Sequence, residues 1–186
     1  MKIYTSFIIA IAIAPSLFAQ LTSQEILFKN GSSFLIGPIS VNDLSQGSYA
    51  NWYRPNYDSY GVDSINVSKF KNELKSYHIL VFLGTWCGDS KREVPRLMKI
   101  LDTAEFPSEN LKMVALDRRK AFYKKSPTGE EWGLGIKRVP TIIFYKHGKE
   151  INRIIESPNS TLEKDMLTIM NGTSYEPHKA KSLHFD

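Results

Sequence analysis

Residues 83–101, LGTWCGDSKREVPRLMKIL, contain the one cysteine of the 186-residue chain, Cys87. A cysteine thiolate is a nucleophile, and it forms mixed disulfides with other molecules. Ser90 occupies the position three residues later, where a second thiol would complete a Cys-x-x-Cys redox motif. The candidate chemistry is therefore thiol–disulfide exchange with a single sulfur, for which the second thiol must come from another molecule.

Cys87 is expected at the point where a buried strand ends and a helix begins. Residues 78–84, HILVFLG, contain a continuous apolar run, so both faces of a strand formed here would be apolar. This pattern predicts a buried strand in a sheet that is covered on both sides. Apolar residues at helical spacing follow over 89–101 and predict a helix. A helix N-terminus offers free N–H groups and a partial positive charge, which favour a thiolate. We therefore expect Cys87 to be reactive, and an inert buried cysteine is the alternative.

The residues beside the thiol suit a partly exposed site. Trp86 is expected to shape an apolar lip, and Gly88 is expected to let another chain approach closely. The four histidines show no ligand spacing with Cys87 or with one another, so we predict no metal site and no other cofactor.

Several elements are predicted before the motif. Residues 25–39 alternate turn signals with apolar runs and predict a short hairpin. Residues 44–63 combine Gly, Pro and Asn with five aromatic side chains and indicate a loop or broken helix. This segment either packs on the core or forms a lip for a peptide client. Residues 64–77 predict a helix that Ser64 caps and that has Ile65 on its apolar face.

The elements after the motif complete an alternating order. Residues 111–117 predict a second buried strand, and the following GEEWGLGI predicts a short helix or a turn. Residues 139–156 predict a hairpin that turns at His147-Gly148. A closing helix follows, with Ser160 as its cap. From residue 79 the order is strand, helix, strand, helix, strand, strand, helix. It predicts an α/β protein with a mixed sheet and helices on both faces.

These features together resemble the thioredoxin family. The resemblance rests on GTWCGDS at a strand-to-helix turn, on VPT about fifty residues later and on the element order, over residues 64–172. It implies a thioredoxin-like fold, a central mixed β-sheet flanked by helices. It also implies that Pro140 is a cis-proline facing the sulfur, that the backbone of Val139 binds an extended client and that Thr141 flanks it. By the sequence alone, a trans proline at a strand edge is the alternative.

Three departures from the family pattern concern the chemistry. Ser90 replaces the resolving cysteine, so the site can form a mixed disulfide but cannot release itself. Val81 occupies the position of a buried Asp found in family members that cycle alone, and Met113 occupies that of its Lys partner. Ser90 is expected to hydrogen-bond the Cys87 thiolate and to cap the helix.

The composition is that of a globular protein without a strong electrostatic specialisation. The apolar fraction is 42%, the charged fraction 23% and the net charge +5. No long basic block is present, which argues against nucleic-acid binding. The densest basic stretch, DRRK at 117–120, is interpreted as a solvated turn.

The N-terminus has the layout of a secretory signal peptide over residues 1–19. Lys2 precedes an apolar run at 7–14, Pro15 follows it, and Ala19 offers a small residue for cleavage. The run is too short to span a bilayer, so no stable membrane anchor is expected after cleavage, and an uncleaved anchor is the alternative.

The domain organisation follows from these boundaries. The signal peptide precedes an N-terminal extension at 20–63, a thioredoxin-like domain at 64–172 and a C-terminal tail at 173–186. The protein is expected to be exported, to the periplasm or the medium.

We therefore expect a thiol–disulfide oxidoreductase or isomerase with one active-site thiol. Its partners would be client thiols or disulfides, a low-molecular-weight thiol, and an external reductant or redox protein. The alternatives are a non-catalytic module that binds a partner in the same groove, and a structural accessory domain.

Overall fold

The computed structural model describes residues 23–178 and 180, which form six strands and five α-helices. In chain order these are β1 (Gln24–Leu27), β2 (Ser33–Ile39), α1 (Val41–Ser45), α2 (Ala50–Asp58), α3 (Ser64–Leu74), β3 (His78–Leu83), α4 (Gly88–Thr103), β4 (Leu111–Ala115), β5 (Thr141–Lys146), β6 (Lys149–Ile155) and α5 (Leu162–Met170). The strands form one sheet in the order β1-β2-β4-β3-β5-β6. Only β3 and β4 among these neighbours are parallel. The predicted mixed sheet and α/β class are confirmed.

The central strand β3 is buried on both faces, as its continuous apolar run predicts. Side chains of a strand alternate between faces. Val81 and Leu83 belong to the main core, while Phe82 belongs to a second, smaller cluster on the opposite face. The strand that ends next to Cys87 is therefore held by packing from both sides.

All five helices place their buried side chains in the main core, on the Val81 face of the sheet. In the described residues, the opposite face is covered by the connection between β4 and β5, residues 116–140, which contributes Leu134 and Ile136. The expectation of helices on both faces was wrong, as was the second helix in the predicted element order. Three glycines of this connection have positive φ, a conformation that a regular helix does not accommodate: Gly129, Gly133 and Gly135.

Of the two predicted forms, a loop or a broken helix, the aromatic segment at 44–63 takes the broken helix, with α1, a 3₁₀ turn and α2 in succession. Tyr53 is buried, and the ring of Tyr57 lies 5.6 Å from Lys99 Nζ of α4. The Tyr57 hydroxyl donates to Asp102 Oδ2 at 2.6 Å. Of the two alternatives for this segment, the structure shows packing against the core.

Two helix starts differ from their predictions by one residue. Asp63, and not Ser64, caps α3, and Thr161, and not Ser160, caps α5. Ile65, expected on the apolar face of α3, is 74% exposed. Both true caps accept a backbone N–H three residues on, which the residue before the helix is best placed to do.

Both predicted hairpins are formed. β1 pairs with β2, and β2 also pairs with β4, so the N-terminal hairpin extends the central sheet. His147 and Gly148 connect β5 to β6 with φ values of 50° and 72°. Positive φ at both central positions is typical of a tight hairpin turn.

Among the described residues, no helix combines the length and the hydrophobicity needed to cross a bilayer. The predicted signal peptide, residues 1–19, lies outside the described residues.

Candidate active site around Cys87

Cys87 is the residue that begins α4. Its φ and ψ of −92° and 130° are extended, and its carbonyl accepts the first helical hydrogen bond, from Lys91 N at 3.0 Å. Cys87 N in turn donates to Gly84 O at 2.8 Å, which closes the turn out of β3. The thiol is half-buried at the end of a 16-residue helix, whose N-terminal amides give this end a partial positive charge.

The sulfur faces the segment that the resemblance singled out. Cys87 Sγ donates to Val139 O at 3.2 Å, and the Val139–Pro140 peptide bond is cis. Val139 itself is only 3% exposed, because its side chain packs in the cluster of the second sheet face. Two segments far apart in the chain therefore meet at the thiol.

Contacts from three sides hold this backbone in place. Thr141 Oγ1 donates to Arg138 O at 2.7 Å, and Glu156 N donates to Pro140 O at 2.7 Å. Arg138 and Glu156 also form an ion pair at 3.2 Å. Thr141 thus supports the cis peptide from within, since its side chain is buried. Arg138 lies before β5 and Glu156 directly after β6, so the partner of each is fixed by the pairing of these two strands.

Ser90 lies inside α4 and is fully buried. Its Oγ accepts a hydrogen bond from Gly84 N at 3.1 Å. The prediction that Ser90 caps the helix was wrong, because Cys87 occupies the capping position. The hydrogen bond that the structure gives Ser90 ties the end of β3 to the first turn of α4, and so sets the position of the thiol between them.

Trp86 folds back over the strand-to-helix turn. Its Nε1 donates to Leu116 O at 2.8 Å, and its ring lies 5.8 Å from that of Tyr123. A Cβ on Gly84 would lie 2.7 Å from the Trp86 ring, so this close approach requires glycine. The half-buried indole forms one wall beside the thiol. Tyr123 extends that wall, although the sequence offered no periodic signal for it.

Gly88, the first residue of α4, is exposed, and a Cβ there would meet no atom within 4 Å. The backbone next to Cys87 is thus open to an approaching chain.

Arg92, in the first turns of α4, is paired with the two carboxylates beside it. Arg92 bonds Asp89 Oδ1 and Glu93 Oε1, both at 2.6 Å. Burial works to lower the pKa of Arg92, but its hydrogen bonds to Glu93 and Asp89 outweigh this and raise the pKa above its usual value. The guanidinium is therefore committed to these carboxylates.

The two positions that depart from the family pattern are neighbours in space. Val81 and Met113 face each other in the register of β3 and β4, and both are buried in the main core. An apolar pair thus occupies the two positions where the family resemblance implies a carboxylate and an ammonium. Neither side chain can take up or release a proton.

The DRRK stretch is the predicted solvated segment only in part, since Arg118 and Lys120 are exposed but Asp117 is buried. Asp117 is only 2% exposed and accepts hydrogen bonds from the backbone and guanidinium of Arg119. Arg118 lies over the Phe28 ring at 4.5 Å. The Arg119–Asp117 pair is local in the chain, whereas the Arg118–Phe28 contact joins this charged run to the N-terminal hairpin.

The part of the chain that the structure describes contains no cluster of three or more His, Cys, Asp and Glu side chains that could hold a metal ion.

Comparison with known proteins identifies the family. The thioredoxin family model matches residues 61–168, more than half of the chain. The chain belongs to the thioredoxin family. A thioredoxin from Malassezia sympodialis is 29% identical over 85 residues, which cover 46% of this chain and 73% of that protein. Thiol–disulfide exchange with client thiols and reductants is the general chemistry of this family.

Solved structures show similarity at lower identity. A Pseudomonas aeruginosa protein of unknown function is 15% identical, with a TM-score of 0.48 and coverage of 74% of this chain and 84% of that one. Oxidised mitochondrial thioredoxin 3 from Saccharomyces cerevisiae is 25% identical, with a TM-score of 0.31 and coverage of 54% and 86% respectively.

Proposed function

We propose that this protein is an exported thiol–disulfide exchange protein that works with Cys87 as its only thiol. One observation carries the proposal: the Cys87 sulfur lies at the N-terminus of α4 and contacts Val139 O, next to the Val139–Pro140 peptide. The chain contains no second cysteine that could resolve a mixed disulfide.

The reaction proceeds in two exchanges. The Cys87 thiolate attacks one sulfur of a client disulfide, a new Cys87–client disulfide forms, and the other client sulfur leaves as a thiolate. A thiolate from outside the chain then attacks the mixed disulfide and releases Cys87. Each exchange breaks one disulfide and forms one, so Cys87 is returned as a thiolate without net oxidation.

The surrounding residues have separate roles in these steps. The Val139 backbone receives the client segment, Trp86 forms a wall of the groove, and Ser90 holds the turn that carries the thiol. The apolar pair of Val81 and Met113 offers no proton acceptor, which suits a site that does not activate a second internal thiol.

The origin of the second thiol decides which reaction the site performs. If it is a cysteine of the same client, the result is disulfide isomerisation. If it is a small thiol or a redox protein, the result is removal of a small-thiol cap or release of a retained client. Reduction of a client disulfide by this chain alone would need a second thiol and is not expected.

Intact-mass measurements test the mechanism. Incubation with a peptide disulfide should give a single adduct on the wild-type protein, and reductant should remove it. Cys87→Ser should give no adduct and no exchange activity, whereas the control variant Ser64→Ala, at the start of α3, should behave as wild type. Exchange that persists in Cys87→Ser would refute the proposal. Complexes that form equally with and without reductant would instead support a non-covalent binding module.

Export is a separate part of the proposal and rests on residues 1–19. N-terminal sequencing of the protein recovered outside the cytoplasm should begin at Gln20. A protein that stays in the cytoplasm with its N-terminus intact would refute it.

A further inference from the structure

The positive charge of the chain is concentrated beside the active site. Residues 117–138, here called the basic connection, contain seven basic and three acidic side chains, a net charge of +4 against +5 for the whole chain. The three acidic side chains are turned inward: Asp117 and Glu131 are buried, and Glu130 is half-buried with Ser126 and Thr128 as partners. The solvent-facing charge of the basic connection is therefore almost entirely cationic.

Large aromatic side chains accompany these cations. Phe122 and Tyr123 are each 51% exposed, and Trp132 is 78% exposed. Lys124 Nζ lies 4.9 Å from the centre of the Tyr123 ring, so the cation and the ring form one surface. Exposed apolar patches mark interaction surfaces, and a surface of one charge sign attracts partners of the opposite sign.

This surface is continuous with the groove beside the thiol, which lies between Trp86 and the Val139–Pro140 backbone. The Tyr123 ring adjoins Trp86, the residue before Cys87, at 5.8 Å. Lys124 Nζ donates to Lys137 O, and Lys137 precedes Val139, whose O lies 3.2 Å from the sulfur. Two residues of extended chain span at most about 7 Å, so the Lys124 ammonium lies within roughly 13 Å of Cys87 Sγ. That is the length of about four residues of an extended client.

We propose that the basic connection selects clients, and that it prefers extended segments with acidic residues within about four positions of the reacting sulfur. This inference rests on the proposed function, because it names the substrate class of the same site. The preference arises from Lys124 and Lys137, beside the groove, while the aromatic wall of Trp86 and Tyr123 supports the client chain. Arg138 contributes less, since Glu156 neutralises it.

Peptide kinetics test the preference. Three nine-residue peptides carry a central cysteine as its 2-thiopyridyl disulfide, flanked by glutamates, by lysines or by serines. Attack of Cys87 on the peptide sulfur releases pyridine-2-thione, whose absorbance gives the rate. At low salt the glutamate peptide should react about tenfold faster than the lysine peptide. At 0.5 M salt the ratio should fall to about twofold, because the screening length shortens to a few ångströms.

Paired variants assign the effect to the proposed residues. Lys124→Gln with Lys137→Gln should reduce the low-salt rate ratio about threefold. Lys149→Gln with Lys164→Gln removes the same charge from the β5–β6 hairpin and from α5, and should leave the ratio unchanged. Equal rates for the three peptides, or equal effects of the two double variants, would overturn the inference.

A binding measurement separates this inference from the proposed function. Fluorescence anisotropy with Cys87→Ser and the reduced peptides reports affinity without chemistry. Preferential binding of the glutamate peptide together with no adduct on wild-type Cys87 would support the inference and refute the proposed function. Adducts on Cys87 without a preference for the glutamate peptide would support the proposed function and refute the inference. If the protein sediments with anionic phosphatidylglycerol vesicles and binds the three peptides equally, the surface binds a membrane and the inference is overturned.

Discussion

The single sulfur of the site is set in place by residues that do not react. The Ser90 hydroxyl takes the position of a resolving thiol and accepts the Gly84 N–H, so this position is structural in the present chain. Cys87 receives its environment from α4 on one side and from Val139 on the other. The limitation of the site thus lies in position 90, which lacks a sulfur, and in the apolar Val81–Met113 pair, which lacks a proton acceptor.

Ser90→Cys should convert the site to a two-thiol one. Position 90 lies three residues after Cys87 on the first turn of α4, and serine and cysteine have similar volumes, so the buried position accepts the exchange. A second thiol at this position can attack the Cys87–client disulfide. The rate of insulin reduction driven by dithiothreitol, followed by turbidity, should rise at least about tenfold.

Ser90→Ala is the matched control for this prediction. It keeps a single thiol and leaves Gly84 N without its acceptor, so the free energy of unfolding should fall by about 1–2 kcal/mol without a gain in insulin reduction. If Ser90→Cys is no faster than Ser90→Ala, the geometry of position 90 does not support resolution.

Between elements, the turn from β3 to α4 is the structure on which the site depends. Trp86 crosses this turn, packs over Gly84 and donates to Leu116 O, at the end of the neighbouring strand β4. The indole therefore couples the turn to β4 and to the connection that follows it.

Gly84→Ala should disrupt this coupling. Its Cβ would lie 2.7 Å from the indole, so Trp86 must move and lose its hydrogen bond to Leu116. Overpacking of this kind costs about 1–3 kcal/mol. Urea denaturation should show the lower stability, and tryptophan fluorescence should change in the folded state.

Gly88→Ala provides the comparison, since its Cβ would enter open space at the first position of α4. Its stability should equal that of wild type or exceed it by up to about 1 kcal/mol, because alanine is the better helix former. Equal losses in the two variants would show that the indole contact is not the cause.

In the whole molecule, the N-terminal extension and the C-terminal tail bind the domain through tyrosine–carboxylate hydrogen bonds. Tyr57 donates to Asp102 of α4 at 2.6 Å, and Tyr175 of the tail donates to Asp165 of α5 at 2.7 Å. These bonds exist only while the hydroxyls are protonated. The hydrogen bond to Asp102, followed by burial, raises the pKa of Tyr57 to about 12.

This shift predicts a loss of stability in alkali. In the unfolded chain a tyrosine ionises near pH 10, so between about pH 10 and 12 the folded protein retains a proton that the unfolded chain has lost. The contribution of Tyr57 is complete below about pH 10 and falls as the pH rises through about 12. Urea denaturation at pH 8 and pH 11 should show a lower free energy of unfolding at the higher pH.

Tyr57→Phe keeps the ring that stacks on Tyr53 but removes the hydroxyl. It should be less stable than wild type at pH 8, and its further loss at pH 11 should be smaller. An identical loss of stability between pH 8 and pH 11 in both proteins would show that the hydrogen bond to Asp102 does not cause the pH dependence.

The amino-acid sequence by itself determined the local elements around the thiol. Its apolar run predicted β3, the helical spacing after Cys87 predicted α4, and His147-Gly148 predicted the β5–β6 turn. These patterns are readable because strand and helix each impose a short period on buried positions. The same residues, with the Val-Pro-Thr segment, were sufficient to indicate the family.

The tertiary structure decided which residues meet. It placed the Ser90 hydroxyl on Gly84, Tyr123 against Trp86 and Arg138 against Glu156, and it placed every helix on one face of the described sheet. Most of these contacts join residues far apart in the chain, and no local period encodes any of them. They depend on how whole faces of helices and sheets pack together. Burial stabilises any apolar side chain of fitting shape, so the fold determines which two residues come into contact.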